Sequence, residues 1–397
     1  MSEKRRDSKN RILRSGESQR KDGRYAYKYT DTFGKVQFAY AWKLVPTDKT
    51  PAGKRDDISL REKEKEIQKD LADGIDPVGK KMTVCELYAK QNRHRGNVRY
   101  NTTKGRGRLM KLLESDKLGA CPINSVKPSD AKEWALRMKE RGLSYKTISN
   151  DKRSLKAAFY TAIQDDCIRK NPFDFQLNTV IEDDTEPKVP LTPEQEESLL
   201  SFMQGDNIYR KYYDEVVILL GTGLRISELC GLTDADLDFD NRIINVDHQL
   251  LRSAETGYYI EKPKTQSGCR QIPMSEKVQE ALRRALKNRR RAKLTDIDGY
   301  SGFLFLNRNG CPRTATNYDG IFRGLAKKYN KCHEQALPKV MTPHTLRHTF
   351  CTNLANAGMN PKALQYIMGH SNITMTLNYY AHATFASAKA EMERLAA

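Results

Sequence analysis

The chain has 397 residues, enough for two or three domains, and its 69 Lys and Arg against 50 Asp and Glu give a formal charge of +19. That surplus points to a polyanion, nucleic acid first, because each phosphate neutralised by a cation releases condensed counterions. A hydrophobic content of 38% with 19 Tyr and 12 Phe excludes wholesale disorder. No run approaches the roughly 18 apolar residues of a membrane helix. The opening MSEKRRDSKNR lacks the apolar stretch of a secretory signal, so a cytoplasmic protein without membrane contact is expected. The eight cysteines are scattered without a C-x-x-C pair, which predicts reduced, partly buried thiols and no metal site.

Residues 1–60 hold 15 Lys and Arg against 8 Asp and Glu. Tyr25, Tyr27 and Tyr29 alternate with other residues, a polar turn follows from Asp31 to Lys35, and Val36, Phe38, Tyr40 and Trp42 alternate again. That period predicts a β-hairpin. A third strand is expected at Arg11 to Arg14 and a charged helix over Ser59 to Asp73. Small basic sheets can enter a DNA major groove, which makes Arg24 and Lys28 candidate contacts; the competing reading is a sheet with a solvated basic face. Gly74 to Lys81 has the G-x-x-x-x-G-K spacing of a phosphate loop. Lys81 stands where a hydroxyl should hold magnesium, Pro77 stiffens the loop and no strand precedes it, so residues 75–82 are read as a linker.

From Thr83 to about Phe175 the helical period dominates. Helices are predicted near 83–92, 98–116, 129–141 and 146–166, with Thr83 and Glu86 as a capping box and Ser129 as an N-cap. Arg93, Arg95, Arg99, Lys104, Arg106, Arg108, Lys146, Lys152 and Arg153 are candidate DNA contacts, against the plainer reading of a solvated charged face. The acidic, proline-containing stretch 178–190 reads as a second linker. A new domain then opens with Thr192 as N-cap, Pro193 at the first helical position and Gln195 as the reciprocal cap. Mostly helical sequence follows, with strands expected at Arg242 to Val246, Tyr258 to Glu261, Arg270 to Pro273 and Phe303 to Leu306. The fold expected is a multidomain α+β chain: a small three-stranded sheet with one helix, an all-helical domain, and a mainly helical domain with a small antiparallel sheet.

Two patterns are set aside. Asp234, Asp236, Asp238 and Asp240 alternate like a calcium loop, but Phe239 and Asn245 replace its Gly and Glu, which leaves a solvated turn. Gly221 and Gly223 begin a nucleotide fingerprint whose third glycine is Ile226. What remains is a set of cations and imidazoles at helix starts. In TGLRISELCGL, Arg225 is expected in the first turn of a helix, either addressing an anion beside free backbone N–H groups or pairing with Glu228 on the helix surface. In MTPHTLRHTF, Thr342 caps a helix and Pro343 opens it, placing His344 and Arg347 on one face. IMGHSNITMTLNYYAH then sets His370 near two tyrosines, Tyr379 and Tyr380, and tyrosine can form a phosphoester among cations.

These residues resemble the tyrosine recombinase family of phage-type integrases, in R-x-S-E-L (Arg225 to Leu229), K-T-x-S-x-x-R (Lys264 to Arg270), H-T-L-R-H (His344 to His348) and L-x-x-I-M-G-H (Leu364 to His370). Order and spacing agree over about residues 190–382, and the basic N-terminal segment is similar to the arm-site-binding domains of conjugative-transposon integrases. The resemblance implies an arm-site DNA-binding domain (1–74), a helical core-site DNA-binding domain (83–177), a catalytic domain (191–383) and a tail (384–397). In that tail Phe385, Ala388, Met392 and Leu395 fall on one helical face, expected to dock on a neighbouring protomer's catalytic domain, the competing reading being packing on its own domain. The family's usual spacing, ten residues after Gly369, makes Tyr379 the nucleophile; the family's Y-x-H ending at Tyr380 to His382 is a competing cue. Arg225 and Arg347 would clamp the scissile phosphate, Lys264, in the turn of a β-hairpin, would protonate the leaving oxygen, and His344 and His370 would assist. No metal or cofactor is implied. The partners implied are double-stranded DNA at core and arm sites, a homotetramer on DNA, and an excisionase or DNA-bending protein. The alternatives are a type IB topoisomerase, a noncatalytic DNA-binding regulator and a metal-dependent nuclease.

Overall fold

The computed structural model describes residues 5–31, 34–74, 81–96, 98–186, 189–293, 296–334, 336–338, 340–380 and 392–393. The chain divides into two compact units, Met1–Glu186 and Pro187–Ala397.

In the first unit, β1 (Glu17–Gln19), β2 (Tyr25–Thr30) and β3 (Val36–Ala41) form an antiparallel sheet in that order, with Tyr25 opposite Ala41 and Lys28 opposite Phe38. The third strand lies at 17–19 and not at the expected 11–14. Two carboxylates explain the shift: Arg11 donates to Asp7 at 2.8 Å and to Asp48 at 2.8 Å, and its backbone N–H donates to Asp7 at 2.7 Å, which closes a turn at 8–10 and leaves Ile12 in an isolated bridge to Arg6. Helix α1 (Leu60–Ala72) starts at a capping box, where the Ser59 N–H donates to Glu62 at 2.9 Å. It covers a core of Tyr25, Tyr27, Ala41, Leu44, Leu60 and Ile67. On β3 the small Ala39 and Ala41 face this core, and Val36, Phe38 and Tyr40 point outward.

Helices α2 (Val84–His94), α3 (Tyr100–Glu114), α4 (Pro128–Glu140) and α5 (Tyr145–Gln164) lie close to the predicted spans. Helix α4 departs in its cap: Lys127 is the N-cap and Pro128 the first helical residue, where its missing N–H costs nothing, so Ser129 is already helical. Trp134 stands edge-on to Phe173 with ring centres 5.8 Å apart, and Phe159 packs on the same ring.

The second unit begins with α6 (Pro193–Gly205), capped by Thr192 and Gln195 as predicted, and continues into α7 (Tyr213–Thr222), whose residues Glu215 to Leu220 are buried. A helix apolar on every side belongs in the middle of a domain. Helix α7 packs between helices α9 (Glu276–Lys287) and α11 (Pro343–Asn356), and a Cβ at Gly221 would sit 2.4 Å from Val278. Before α9 come α8 (Ile226–Gly231) and five short strands: β4 (Leu237–Asp238), β5 (Ile243–Val246), β6 (Gln249–Ser253), β7 (Gly257–Glu261) and β8 (Arg270–Pro273). The strands make two sheets, β4-β5-β8 and β6-β7. Strand β6 escapes a reading by period because Leu250 and Leu251 are adjacent. Residues 303–306 are not a strand but carry isolated bridges from Phe303 to Thr233 and from Leu306 to Pro312. Helices α10 (Ala315–Cys332), α12 (Pro361–Met368) and α13 (Ile373–Leu377) complete the unit.

All eight cysteines are free thiols, three of them buried. No helix among the described residues is long and apolar enough to cross a membrane. Of the predicted tail face only Met392 is described, and it is exposed; Phe385, Ala388 and Leu395 lie outside the described residues, as does the 75–80 part of the first linker.

Candidate active site

The site is assembled where α7 ends. Gly223 caps that helix at φ +62°, and a Cβ there would lie 2.4 Å from Phe350 and 3.1 Å from the Met368 sulfur. Only glycine lets the turn pass this close, and its carbonyl accepts a hydrogen bond from Arg347. Arg225 follows as the residue immediately before α8, so it is an N-cap and not, as expected, part of the first turn. Its guanidinium donates to Glu228 at 2.7 Å and to the Gly369 carbonyl at 2.9 Å, and its N–H donates to Glu228 at 2.8 Å. The pair with Glu228 therefore exists, but not on a helix surface. Glu228 is buried and also receives the Arg270 guanidinium at 2.9 and 3.1 Å.

Helix α11 begins at Pro343 and displays His344, exposed, and Arg347, which is 3% exposed. Arg347 donates to the carbonyls of Gly223 and Met368, each bond using one N–H and leaving others for a ligand. Helix α12 ends on Gly369, also left-handed at φ +60°, and delivers His370. The His370 ring is buried and its Nδ1 pairs with the Thr376 hydroxyl at 3.0 Å. Tyr379 stacks on His370 with ring centres 6.5 Å apart and lies 4.8 Å from the His348 ring. Tyr380 turns its hydroxyl to the carbonyl of Met359.

Burial raises the carboxyl of Glu228, but hydrogen bonds from Arg270 and the charges of Arg270, Arg225 and Arg347 outweigh it and hold the group at about 2. Burial, then the neighbouring Arg225, brings the Arg347 guanidinium down to about 9, still protonated at neutral pH. Burial followed by the charges of Arg347, Arg225 and Arg270 depresses His370 to about 4, so its ring is neutral. The Tyr379 phenol is pushed up by burial and by Cys351, with Arg347 opposing.

Arg225, Arg347, His370 and Tyr379 are thus gathered in one cluster. Lys264 is exposed in the connection from β7 to β8 and makes no hydrogen bond to that cluster among the described residues. This connection is not a hairpin turn: β7 pairs with β6 and β8 with β5, so Lys264 bridges two sheets. Sequence named Glu228 only as a surface partner for Arg225 and gave Arg270 no role, although both stand in the motifs quoted, as the E of R-x-S-E-L and the last residue of K-T-x-S-x-x-R.

Of the DNA-contact candidates, Arg93, Arg95, Lys104, Lys146 and Arg153 are exposed and Arg99 and Arg106 half-buried. Arg108 is paired with the buried Asp151. Lys152 departs from expectation: its side chain is buried and its ammonium lies on the Phe175 carbonyl and 4.4 Å from that ring's centre, an internal role. On the outer face of the N-terminal sheet, Lys28 is exposed, and the Arg24 guanidinium lies over Tyr40 and Trp42 at 5.6 and 5.5 Å.

Asp236, Asp247 and His248 bring ligand atoms within 4.8 Å of one another. Both ring nitrogens of His248 are already engaged, with Asp247 at 2.6 Å and the Gly231 carbonyl at 2.7 Å. Asp236 is buried against Thr233, so the aspartate run is only partly the solvated turn expected. At the far end of α7 from Gly223 opens a basic cleft of about 820 Å³ whose lining includes Arg210, Lys277 and Arg290. The side chains of these three make no hydrogen bond or ion pair among the described residues.

Residues 190–387 match the model of the phage integrase family, and residues 1–71 match that of the DNA binding domain of Tn916 integrase. The transposase from transposon Tn916 of Enterococcus faecalis is 67% identical over 395 residues, spanning 100% of this chain and 97% of that protein. Among solved structures, the Tn1549 transposon integrase (residues 82–397, R225K) in complex with a circular intermediate DNA is 75% identical. It has a TM-score of 0.76 and covers 79% of this chain and 99% of that one. The same integrase with Y379F, in complex with transposon right end DNA, has the same identity and TM-score and covers 80% and 100%.

Proposed function

The chain belongs to the phage integrase family of tyrosine recombinases, and on that premise we propose that Tyr379 is the nucleophile with which it cuts and rejoins DNA. The protein is a site-specific recombinase of a mobile element. The observation that carries the assignment is the pairing of environments. Tyr379 stacks on His370 beside Arg347, whereas the Tyr380 hydroxyl is bound to Met359.

Arg225 and Arg347 bind the nonbridging oxygens of the scissile phosphate, where charge develops in the transition state. A guanidinium suits this because it keeps its charge even when buried and presents a planar fork of donors. His370, neutral, adds a hydrogen bond. Because burial holds the Tyr379 phenol above its ordinary range, its proton must leave as the new P–O bond forms, and His344 is the acceptor. The phosphorus–O5′ bond breaks, Lys264 protonates the departing oxygen, and a 3′-phosphotyrosine link remains. A 5′ hydroxyl from a partner strand reverses the step through a Holliday junction, conserving the bond energy so that no nucleotide is needed.

The outward aromatic and basic face of the N-terminal sheet reads arm sites, and residues 83–177 hold the core site. Four protomers assemble on DNA, linked by the 384–397 tail, with an excisionase or DNA-bending protein setting direction in the cytoplasm. The complexes of the Tn1549 integrase with circular intermediate and transposon end DNA support DNA as the substrate. On a nicked suicide substrate, Tyr379→Phe should lose covalent attachment to DNA and Tyr380→Phe should keep it. The reverse pattern moves the nucleophile to Tyr380.

A further inference from the structure

The guanidinium of Arg270 is fully enclosed, with its side chain 0% exposed, and it touches three separate segments of the site. It grips both oxygens of Glu228 at 2.9 and 3.1 Å, and Glu228 in turn holds the backbone N–H and the guanidinium of Arg225. Its Nε donates to the Ile367 carbonyl at 2.6 Å, and its Nη1 to the Gly268 carbonyl at 3.0 Å in the connection that carries Lys264. A Cβ at Gly369 would lie 3.1 Å from the same guanidinium, so the turn that delivers His370 rests on it. Arg270 itself is sealed behind these groups and has no path to a ligand.

We propose that Arg270 is a positioning residue for strand cleavage: acting through Glu228, it fixes the Arg225 guanidinium against the turn at Gly369 so that the phosphate clamp is preformed. The physical reason is geometric. Glu228 alone would be a buried carboxylate free to rotate among Arg225, Arg347 and solvent, whereas a bidentate fork from Arg270 locks its plane. Arg225 then has one orientation, shared between a fixed carboxylate and a fixed carbonyl. Lysine at 270 keeps the charge but offers a single point of attachment and cannot bridge Glu228, Ile367 and Gly268 together. The inference rests on the reading above, in which Arg225 binds the scissile phosphate.

Three full-length variants test it: Arg270→Lys, Glu228→Gln, and Arg270→Met combined with Glu228→Gln, which removes both buried charges and so spares the fold the uncompensated carboxylate. The readouts are single-turnover covalent attachment to suicide DNA, affinity for uncut core-site DNA, and thermal unfolding. Arg270→Lys and Glu228→Gln are each expected to slow attachment roughly 100-fold, the effect of a small misplacement of a reacting group, with DNA affinity changed less than about threefold. The double variant should unfold within a few degrees of the wild type and yet be no slower than the worse single variant, the mark of two residues acting as one unit. A 5′-phosphorothiolate substrate, whose leaving group needs no proton, should not rescue Arg270→Lys.

Attachment by Arg270→Lys or by the double variant at a rate near the wild type overturns the proposal, as does a double variant slowed by the product of the single effects. Rescue by the phosphorothiolate overturns it too, by moving the role of Arg270 from Arg225 to Lys264. If Arg270→Lys does not fold, the double variant decides. Failure of the wild type itself to attach would instead refute the reading of the site.

Discussion

His370 shows how far burial alters a side chain that a sequence can only name. Enclosure, and then the cations Arg347, Arg225 and Arg270, depress it from about 6.5 to about 4. The unfolded chain binds a proton between those values while the folded chain does not, so stability falls as pH drops through that window. The contribution is on the order of 3 kcal/mol, present above about pH 6.5 and gone below about pH 4. In thermal unfolding across pH 4 to 7, wild type should lose more stability than His370→Asn; a constant offset between them would show that His370 does not titrate in this way. At this scale Arg225, Lys264, His344, Arg347 and His370 were legible as motif members, and Tyr379 by its spacing from Gly369. Glu228 was legible only as a surface partner of Arg225 and Arg270 only as a letter of its motif, because the bond that joins them spans residues 42 apart in the chain.

Among the elements, the end of α7 is tightly constrained, since Gly223 combines a left-handed backbone with a 2.4 Å approach to Phe350. Gly223→Ala should destabilise the protein by about 2 to 4 kcal/mol, from the left-handed strain together with overpacking, measured by urea unfolding. It should also slow cleavage, because the Gly223 carbonyl anchors Arg347. Helices were read well because caps such as Thr83 with Glu86 and Thr192 with Gln195 are local in sequence. Strands were read less well. A period of two identifies β3 but not which of its faces meets α1, and the large residues Val36, Phe38 and Tyr40 turned out to face away from the core. Pairing was not legible at all between β7 and β8, so Lys264 sits between two sheets and not in a hairpin turn.

Over the whole molecule, the charge of +19 divides into a diffuse part, expected to set affinity for a polyanion, and a few enclosed guanidiniums at the proposed phosphate site. The side chains of Arg210, Lys277 and Arg290 in the cleft at the far end of α7, unpaired among the described residues, are assigned to the diffuse part. Replacing any one with Ala should weaken DNA binding alike across sequences and reduce the salt dependence of affinity by about one counterion, leaving the cleavage rate of bound DNA unchanged. An unchanged salt slope would place the cleft off the DNA path. What the sequence by itself determined was the partner class, the order of the helices and the identity of the motif residues, because charge, periodicity and capping are properties of neighbours along the chain. What only the tertiary structure decided was which charges are exposed and which enclosed, that Lys152 serves the interior, and that Arg270 and Glu228 bind Arg225 into a single unit. Those are consequences of desolvation, which depends on what the rest of the chain folds around a residue and not on its neighbours in sequence.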